Sequence, residues 1–569
     1  MVRSRGGRET KAGLAIVAVL LGLGGTARAF AADSTAGEGA ATSATTAGSA
    51  AQNAAPAIPG GIGAPAPPVG MSVRLGDLGS VFAASSAVGE ATPQRPPGLT
   101  ITPTLGLQGQ FTDNVFGTVT DHQSDFITGL TPGILVNVQT PNVGGTVSYT
   151  PNFQWYASHP SQNSVGQYLN GSLDATILPK TLLLSSGAYV TELSTSGGVT
   201  PGGVTNLASS NRATTTTFFA TPSFVHEFED AGTLRLSYSL QLASESGNAN
   251  FVTGATQPFF LGSSALTNQE IASYSTGPAW GRFNNTIDLI ASQYSRAPIL
   301  DGAYQYFVVN TLRFALDRRS YVFGSAGYEN ISYPGGLPPF KIDGAVWAAG
   351  FGFTPAPNNA VILGYRYAYG VNAPILQVAI GLTPRTRLAI VYSSFIATPL
   401  QALEASFAGS TVDAAGNSID SDTSAPVLLT NQLLSQQSGL MRNSVLSASL
   451  VTTWPRDSLS FSFLDDQQKL LANAPGTTGF SQRSWSGGVG WVHALTPRLT
   501  ATSNLEVGST NSGTFGSGWT PTLSGQVSLA YQLTRTLSAS LVYELTSQWP
   551  SGGGNALQNI AIVALQNTF

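Results

Sequence analysis

The stretch "VGGTVSYTPNFQWYA" runs from Val143 to Ala157. Every second position gives Val143, Gly145, Val147, Tyr149, Pro151, Phe153, Trp155 and Ala157. The positions between are Gly144, Thr146, Ser148, Thr150, Asn152, Gln154 and Tyr156. One face is apolar and ends in aromatic rings; the other consists of hydroxyls and amides. A period of two at this length is that of a β-strand, whose side chains alternate between faces. The fold turns on which solvent meets the apolar face.

Composition narrows the choice. Of the 569 residues only 9% are charged, against roughly 25% in soluble domains. The hydrophobic fraction is an ordinary 42% and the formal net charge is −4. Charge has been replaced by Ser, Thr, Asn, Gln and Gly, which a soluble surface does not favour. A helical membrane protein needs apolar runs of about 20 residues. The chain has one candidate run, at its N-terminus. There Arg3, Arg5, Arg8 and Lys11 precede "AGLAIVAVLLGLGG", and "ARAFAADS" offers cleavage after Ala29 or Ala31. Residues 1–31 therefore read as a secretory signal. The absence of cysteine excludes a lipoprotein anchor and a disulfide scaffold.

Residues 32–97 are rich in Ala, Gly, Pro, Ser and Thr. They have too few large apolar groups to offset chain entropy, so a disordered periplasmic segment is expected. Within it, Val73 to Gly89 fits a short helix or a periplasmic docking segment, and both readings remain open.

From Leu99 the opening alternation recurs. "LTITPTLGLQGQF" sets Leu99, Ile101, Leu105, Leu107 and Phe111 against Thr100, Thr102, Thr104, Gln108 and Gln110. "TLRLSYSLQLA", "DGAVWAAGFGF", "AVILGYRYAYG" and "TLSASLVYEL" repeat the pattern. Many such runs exceed the roughly 5–6 residues of soluble strands and match the 9–11 that cross a bilayer at a tilt. Alternation is least regular over 270–331 and 458–465. Short connections, such as "LPKT" (178–181), "LDRRS" (316–320), "LTPRT" (382–386) and "LTRTL" (533–537), alternate with long polar ones at 194–213, 246–268, 397–442 and 465–483. Short periplasmic turns and long outer loops characterise bacterial outer-membrane barrels. The expected fold is all-β, a transmembrane antiparallel up-and-down barrel over 98–569. About 22 strands are expected, within a range of 18–24, with both termini periplasmic. The apolar face of the opening stretch then meets lipid, and its polar face meets a water-filled lumen. The terminal Phe569, with Leu565, Val563 and Ala561 before it at alternating positions, resembles the C-terminal signal read by the barrel-assembly machinery.

Strand charges fall mostly on the expected inner face: Asp174, Arg235, Asp288, Arg313, Arg366, Glu506 and Glu544. Sidedness alone accounts for much of this, since a lipid-facing Arg or Lys at mid-depth costs ~2–4 kcal/mol. As lumen-lining candidates they carry both signs and form no basic ladder. The hydroxyl- and amide-rich remainder suits a neutral glycan passenger. Enzymatic chemistry is not expected: His122 and His159 fall in outer loops, and His226 and His493 fall near periplasmic strand ends. No metal or cofactor site is read, because no metal-ligand spacing or phosphate-cradling loop occurs. Little basic surface argues against nucleic acid.

Two stretches carry a family resemblance. "ITPTLGLQGQFTDNVFGTVTDHQSDFITGLTPGILV" (101–136) places a Thr-Asp-Asn loop before "SDF" and a Pro-Gly-bearing strand. "LLTNQLLSQQSGLMRNSVLSASL" (428–450) follows a long insertion. Both resemble the outer-membrane β-barrel porin family associated with bacterial exopolysaccharide and exosortase loci. The resemblance implies a Gram-negative outer-membrane barrel accompanying polysaccharide synthesis or secretion, with periplasmic export components as partners and no catalytic residues. Export of an exopolysaccharide or other neutral glycan is the leading reading. A structural or adhesion barrel with binding loops, or a general small-solute porin, are the alternatives. A barrel this wide would leak if empty. The 397–442 connection is the candidate obstruction, with Leu400, Leu403, Phe407, Leu428, Leu429 and Leu433 either packing into the lumen or capping its rim.

Overall fold

The structure is a computed structural model. It describes residues 98–194, 204, 207–209, 212–246, 250–251, 258–260, 263–356, 359–408, 410–412, 418–420, 438–512, 518–550 and 553–569. The expected signal, the 32–97 segment and Leu428, Leu429 and Leu433 lie outside the described residues.

Alternating side chains and regularly spaced turns produce one continuous antiparallel sheet that closes on itself. Its 24 ladder segments make 22 crossings, because two crossings are each broken in two. The crossings are β1 (Gly98–Thr112), β2 (Asp125–Gln139), β3 (Val143–Tyr149 with Asn152–Tyr156), β4 (Ser164–Gly166 with Leu169–Leu178), β5 (Leu182–Ser194) and β6 (Arg212–Glu227). They continue with β7 (Gly232–Ser246), β8 (Ser264–Thr276), β9 (Phe283–Ser295), β10 (Tyr304–Ala315), β11 (Ser320–Tyr333), β12 (Phe340–Phe353), β13 (Ala360–Ala368) and β14 (Val371–Thr383). The last are β15 (Thr386–Ala397), β16 (Leu440–Thr453), β17 (Asp457–Ala472), β18 (Gln482–Thr496), β19 (Leu499–Ser512), β20 (Trp519–Gln532), β21 (Leu537–Gln548) and β22 (Ala556–Thr568). Each pairs with its sequence neighbour, and β22 returns to β1 through Thr104↔Thr568 to Thr112↔Ile560. Closure joins the first strand to the last, as a sheet that spans a membrane requires; only the outer ends of β12 and β15, beyond Trp347 and Tyr392, lack a ladder partner on the side of the short β13–β14 hairpin among the described residues.

The seam between first and last strands is shorter than the β1–β2 ladder, which runs from Gly98↔Gln139 to Thr112↔Asp125. Its outer end is pinned by side chains. The Asn559 amide and Nδ2 donate to the Asp113 carboxylate at 2.8 and 2.6 Å. Gln558 Nε2 donates to the Asn114 carbonyl at 2.7 Å, and Asn114 Nδ2 donates to the Leu557 carbonyl at 3.0 Å. At the other end, the Phe569 amide donates to the Pro103 carbonyl.

The opening stretch falls as its alternation demands. Tyr149 and Trp155 are 39% and 46% exposed, while Asn152 and Gln154 are 2% and 3% exposed on the opposite face. On β1, Leu105, Leu107 and Phe111 face out and Gln108 and Gln110 face in. Exposed aromatics band the exterior at both ends, with Phe111, Phe126, Trp155 and Trp519 at the outer end. Phe224, Phe283, Trp491 and Phe569 band the periplasmic end. These are the interfacial girdles of outer-membrane barrels. By this architecture the chain is an outer-membrane β-barrel.

Two boundaries depart from the sequence expectation. The loop expected at 465–483 is shorter, because β17 continues to Ala472. Asp465 does not end the strand, since Arg483 on β18 forks onto it with Nε and a terminal nitrogen both at 3.1 Å. Likewise β8 begins at Ser264, inside the expected 246–268 loop.

Candidate functional site

From β17 through β22 and on to β4, inward positions are mainly hydroxyls and amides, among them Ser484, Thr502, Asn504, Gln526, Ser540, Gln108 and Thr146. From β5 to β16 inward hydroxyls and amides continue, among them Thr215, Thr217, Ser239, Thr267, Ser292, Thr311 and Ser325. Set among these, Tyr189, Phe219, Ile290, Phe307, Ile331, Val346 and Ile362 join one buried apolar cluster.

What it packs against is the β15–β16 connection. Helix α1 (Pro399–Ala408) follows β15 and lies against β5, β6, β7 and β8, across the mouth from where it starts. Its first turn has a capping box. Thr398 Oγ1 accepts from the Gln401 amide, and Gln401 Oε1 accepts from the Thr398 amide, at 3.3 and 2.8 Å. This arrangement satisfies two otherwise orphaned donors, and Pro399 suits the first helical position. Leu400 and Leu403 are 6% and 2% exposed, within the buried cluster. Of the two readings left open for these leucines, they pack inward; the Phe407 side chain lies outside the described residues.

Polar ties fix the helix. Thr267 Oγ1 donates to Glu404 Oε2 at 2.6 Å. Gln401 Nε2 donates to the Tyr333 hydroxyl at 3.3 Å, and Gln305 Nε2 donates both to that hydroxyl and to the Ile396 carbonyl, at 2.7 and 3.1 Å. Burial pushes the Glu404 carboxyl up to about 7, against the lowering effect of the Thr267 hydroxyl and the Ala243 amide. Two more connections close the mouth. Ile299 and Leu300 of the β9–β10 loop are buried. Leu337, between β11 and β12, exchanges two backbone hydrogen bonds with Asn473, beyond β17, both at 2.9 Å. A second, smaller cluster of Val115, Ile127, Tyr156 and Leu207 closes the mouth near β1–β3, where Tyr156 donates to the Leu207 carbonyl at 2.7 Å.

The seven charged candidates all take inward positions in the alternation. Asp174 is exposed to the lumen opposite Ser185. Asp288 accepts from Ser273 Oγ at 2.7 Å. Arg313 stands over the Tyr321 ring at 5.6 Å. Arg366 donates to the Ser394 carbonyl at 2.7 Å. Arg235 lies on β7 beside Ser273 of β8, and Glu506 and Glu544 alternate with outward Leu505, Val507 and Tyr543. Arg235, Arg313 and Arg366 stand on β7, β10 and β13, interleaved with inward Glu245, Asp288 and Glu329 on β7, β9 and β11. Asp466, Glu506, Glu544 and Asp174 stand on β17, β19, β21 and β4, an arc with no inward Lys or Arg among the described residues. Sequence reading also missed Asp466, Glu329, Glu404 and Arg442. Glu404 had a detectable signal, as the one acid in the apolar "PLQALEASFA" three residues after Gln401.

His159, placed in an outer loop from sequence, is held between Asp125 Oδ2 at 2.7 Å and Gln123 Oε1 at 2.8 Å. His493 sits at the periplasmic end of β18, bonded to Asp457 Oδ1 at 2.7 Å. These are positional ties at the two rims.

No family model and no curated relative matches the chain. Solved structures similar to it are large β-barrels of low identity. The ferric-catecholate import receptor Fiu from E. coli K12 is 11% identical with a TM-score of 0.44, covering 84% of this chain and 82% of Fiu. The siderophore receptor PirA from Acinetobacter baumannii is 7% identical with a TM-score of 0.46, covering 84% and 81%. The outer membrane protein opdK from Pseudomonas aeruginosa is 11% identical with a TM-score of 0.31, covering 83% and 99%.

Proposed function

We propose that the chain is a gated outer-membrane pore that carries a neutral, hydroxyl-rich glycan, with an exopolysaccharide leaving the cell as its passenger. The observation that carries this reading is the hydroxyl and amide lining that runs unbroken from β17 around to β4. Such a surface exchanges hydrogen bonds with sugar hydroxyls at little net cost, because each bond to water is replaced by a similar one. The C-terminal strand ending at Phe569 fits insertion by the barrel-assembly machinery, and the periplasmic opening is where export components would deliver a chain.

Planar-bilayer recording tests this. A neutral oligosaccharide added on the periplasmic side should give transient current blockades, whereas a polyanionic oligosaccharide of equal length should give far fewer. Equal blockade by both, or blockade by the polyanion alone, would refute the neutral-glycan reading. Free passage of every small solute without blockade would favour a general porin.

A further inference from the structure

The exterior of β7 to β11 departs from the apolar band expected on a lipid-facing wall. Glu270 of β8 and Asn310 of β10 both point outward near mid-strand, and both are exposed. Neither side chain has a hydrogen-bond or ion-pair partner among the described residues. Asn268, two residues from Glu270 toward the outer end, differs: its Oδ1 accepts from the Tyr238 hydroxyl of β7 at 2.7 Å. The outward residues around the pair are apolar or aromatic, among them Leu236, Leu289, Tyr306 and Val308. Hydrocarbon holds no water to serve a bare carboxyl or carboxamide, so each calls for a protein neighbour.

Strand register relates the two residues through a common centre. Glu270 pairs with Ala291 of β9, and Asn310 pairs with Ile287 of the same strand. Leu289 lies halfway between, points outward and is 46% exposed. The ladder rungs climb toward the outer surface as strand number rises. One runs from Ser186, near the periplasmic end of β5, through Leu240, Asn268 and Tyr304 to Lys341, at the outer end of β12. The climb from β8 to β10 therefore offsets the descent from Ala291 to Ile287. Glu270 and Asn310 stand at nearly one depth, roughly 8 Å to either side of Leu289. Between them Ala272 and Ala291 floor a shallow exterior groove of about 590 Å³, flanked by Leu236, Tyr238 and Tyr306.

We propose that the chain pairs with a second copy of itself through this face, as a two-fold dimer centred on Leu289. Two-fold pairing is the commonest form of self-association, and it demands a patch complementary to itself. A two-fold axis along the membrane normal at Leu289 meets that demand. It sets Glu270 of each copy against Asn310 of the other, so that an amide N–H donates to a carboxyl at two equivalent places. It also sets large against small, bringing Ile287 of one copy over Ala272 of the other and Val308 over Ala291. Like charges stay apart, because the two Glu270 side chains lie on opposite sides of the axis. Each barrel keeps its own lumen, so the dimer does not depend on the passenger.

Photo-crosslinking in outer membranes tests the dimer. Leu289→benzoylphenylalanine should give, on irradiation, a covalent dimer whose adduct maps by mass spectrometry to β8–β10 of the second copy. The same residue in place of Val527, outward on β20 across the ring, should give none. Glu270→Leu removes a carboxyl from the lipid face, so it should assemble with native heat-modifiable mobility. In mild detergent it should nevertheless raise the dimer dissociation constant about tenfold, through two lost hydrogen bonds. Glu270→Gln keeps an acceptor for Asn310 and should dimerise as the native chain does. An adduct with a different protein, or with another strand of the second copy, would overturn the two-fold dimer. So would the lack of any adduct from assembled barrels, since lipid would then cover the face. Equal dimerisation of Glu270→Leu and the native chain would overturn the paired polar contact on which the axis is placed.

Discussion

Glu404 links the docking of α1 to pH. In the docked helix its carboxyl is raised from 4.5 to about 7, chiefly by burial. If the helix leaves the mouth, Glu404 enters water and returns to its ordinary value. The docked form therefore binds the proton more tightly. Below the lower value both forms are protonated and docking is at full strength. As pH rises from 4.5 to about 7 the undocked form ionises first, and docking weakens until it levels off above the upper value. The difference corresponds to ~3 kcal/mol, or roughly two orders of magnitude in the ratio of docked to undocked. Tyr294 and Glu245 share the wall that faces Glu404. Single-channel open probability should rise between pH 4.5 and 7 and then level off. Glu404→Gln keeps an oxygen to accept the Thr267 hydroxyl and cannot ionise, so it should stay closed across the range. A flat profile in the native protein, or the same rise in Glu404→Gln, would refute this account of docking.

Leu403→Ala should weaken docking by ~2–5 kcal/mol, as buried leucine truncations do, raising open probability at pH 5 while heat-modifiable mobility on gels stays native. Leu541, outward and 50% exposed at mid-strand, should not tolerate Arg, at ~2–4 kcal/mol, so Leu541→Arg should fail to accumulate in the outer membrane. Ser524→Arg, inward on the polar arc, should assemble and lower conductance; equal accumulation of the two with unchanged conductance would show the faces reversed. On whole cells an impermeant thiol reagent should label Thr478→Cys, in the outer β17–β18 connection, and spare Thr534→Cys, in the periplasmic β20–β21 turn. The opposite labelling would invert the topology.

Strand direction and facing could be read wherever one face is polar. The parity of Val143–Ala157 holds through the break at Thr150 and Pro151, so the lipid face follows from the residues alone. Legibility fails where apolar residues fall on both faces. Over 270–331, inward Ile290, Phe307, Val309 and Ile331 join the buried cluster while outward Leu289, Val308 and Leu312 face lipid. Binary alternation cannot distinguish two apolar solvents. That same loss of contrast hid the apolar cluster beneath α1. The acidic arc from β17 to β4 was accessible in principle, since up-and-down order fixes the ring, but it needs the strand count first. The hydrogen bonds of Glu329 and Arg442 to Tyr369, at the β13–β14 turn, could not be read, because they join positions 40 and 73 residues apart.

The seam between β1 and β22 gives the barrel a direction of fastening. Its outer end carries the side-chain clasp of Asp113, Asn114, Gln558 and Asn559, while Gly98–Pro103 extends past the last rung toward the periplasm, paired on one side only. This joint has fewer rungs than the β1–β2 ladder beside it. Tension applied at Gly98 would load the sparse, unclasped end first and peel the joint upward like a zip, meeting the clasp last. Tension applied beside Asp113 or Gln558 would meet the clasp at once. The seam is thus mechanically anisotropic, yielding sooner to a pull from the periplasmic end than to a pull from the outer end.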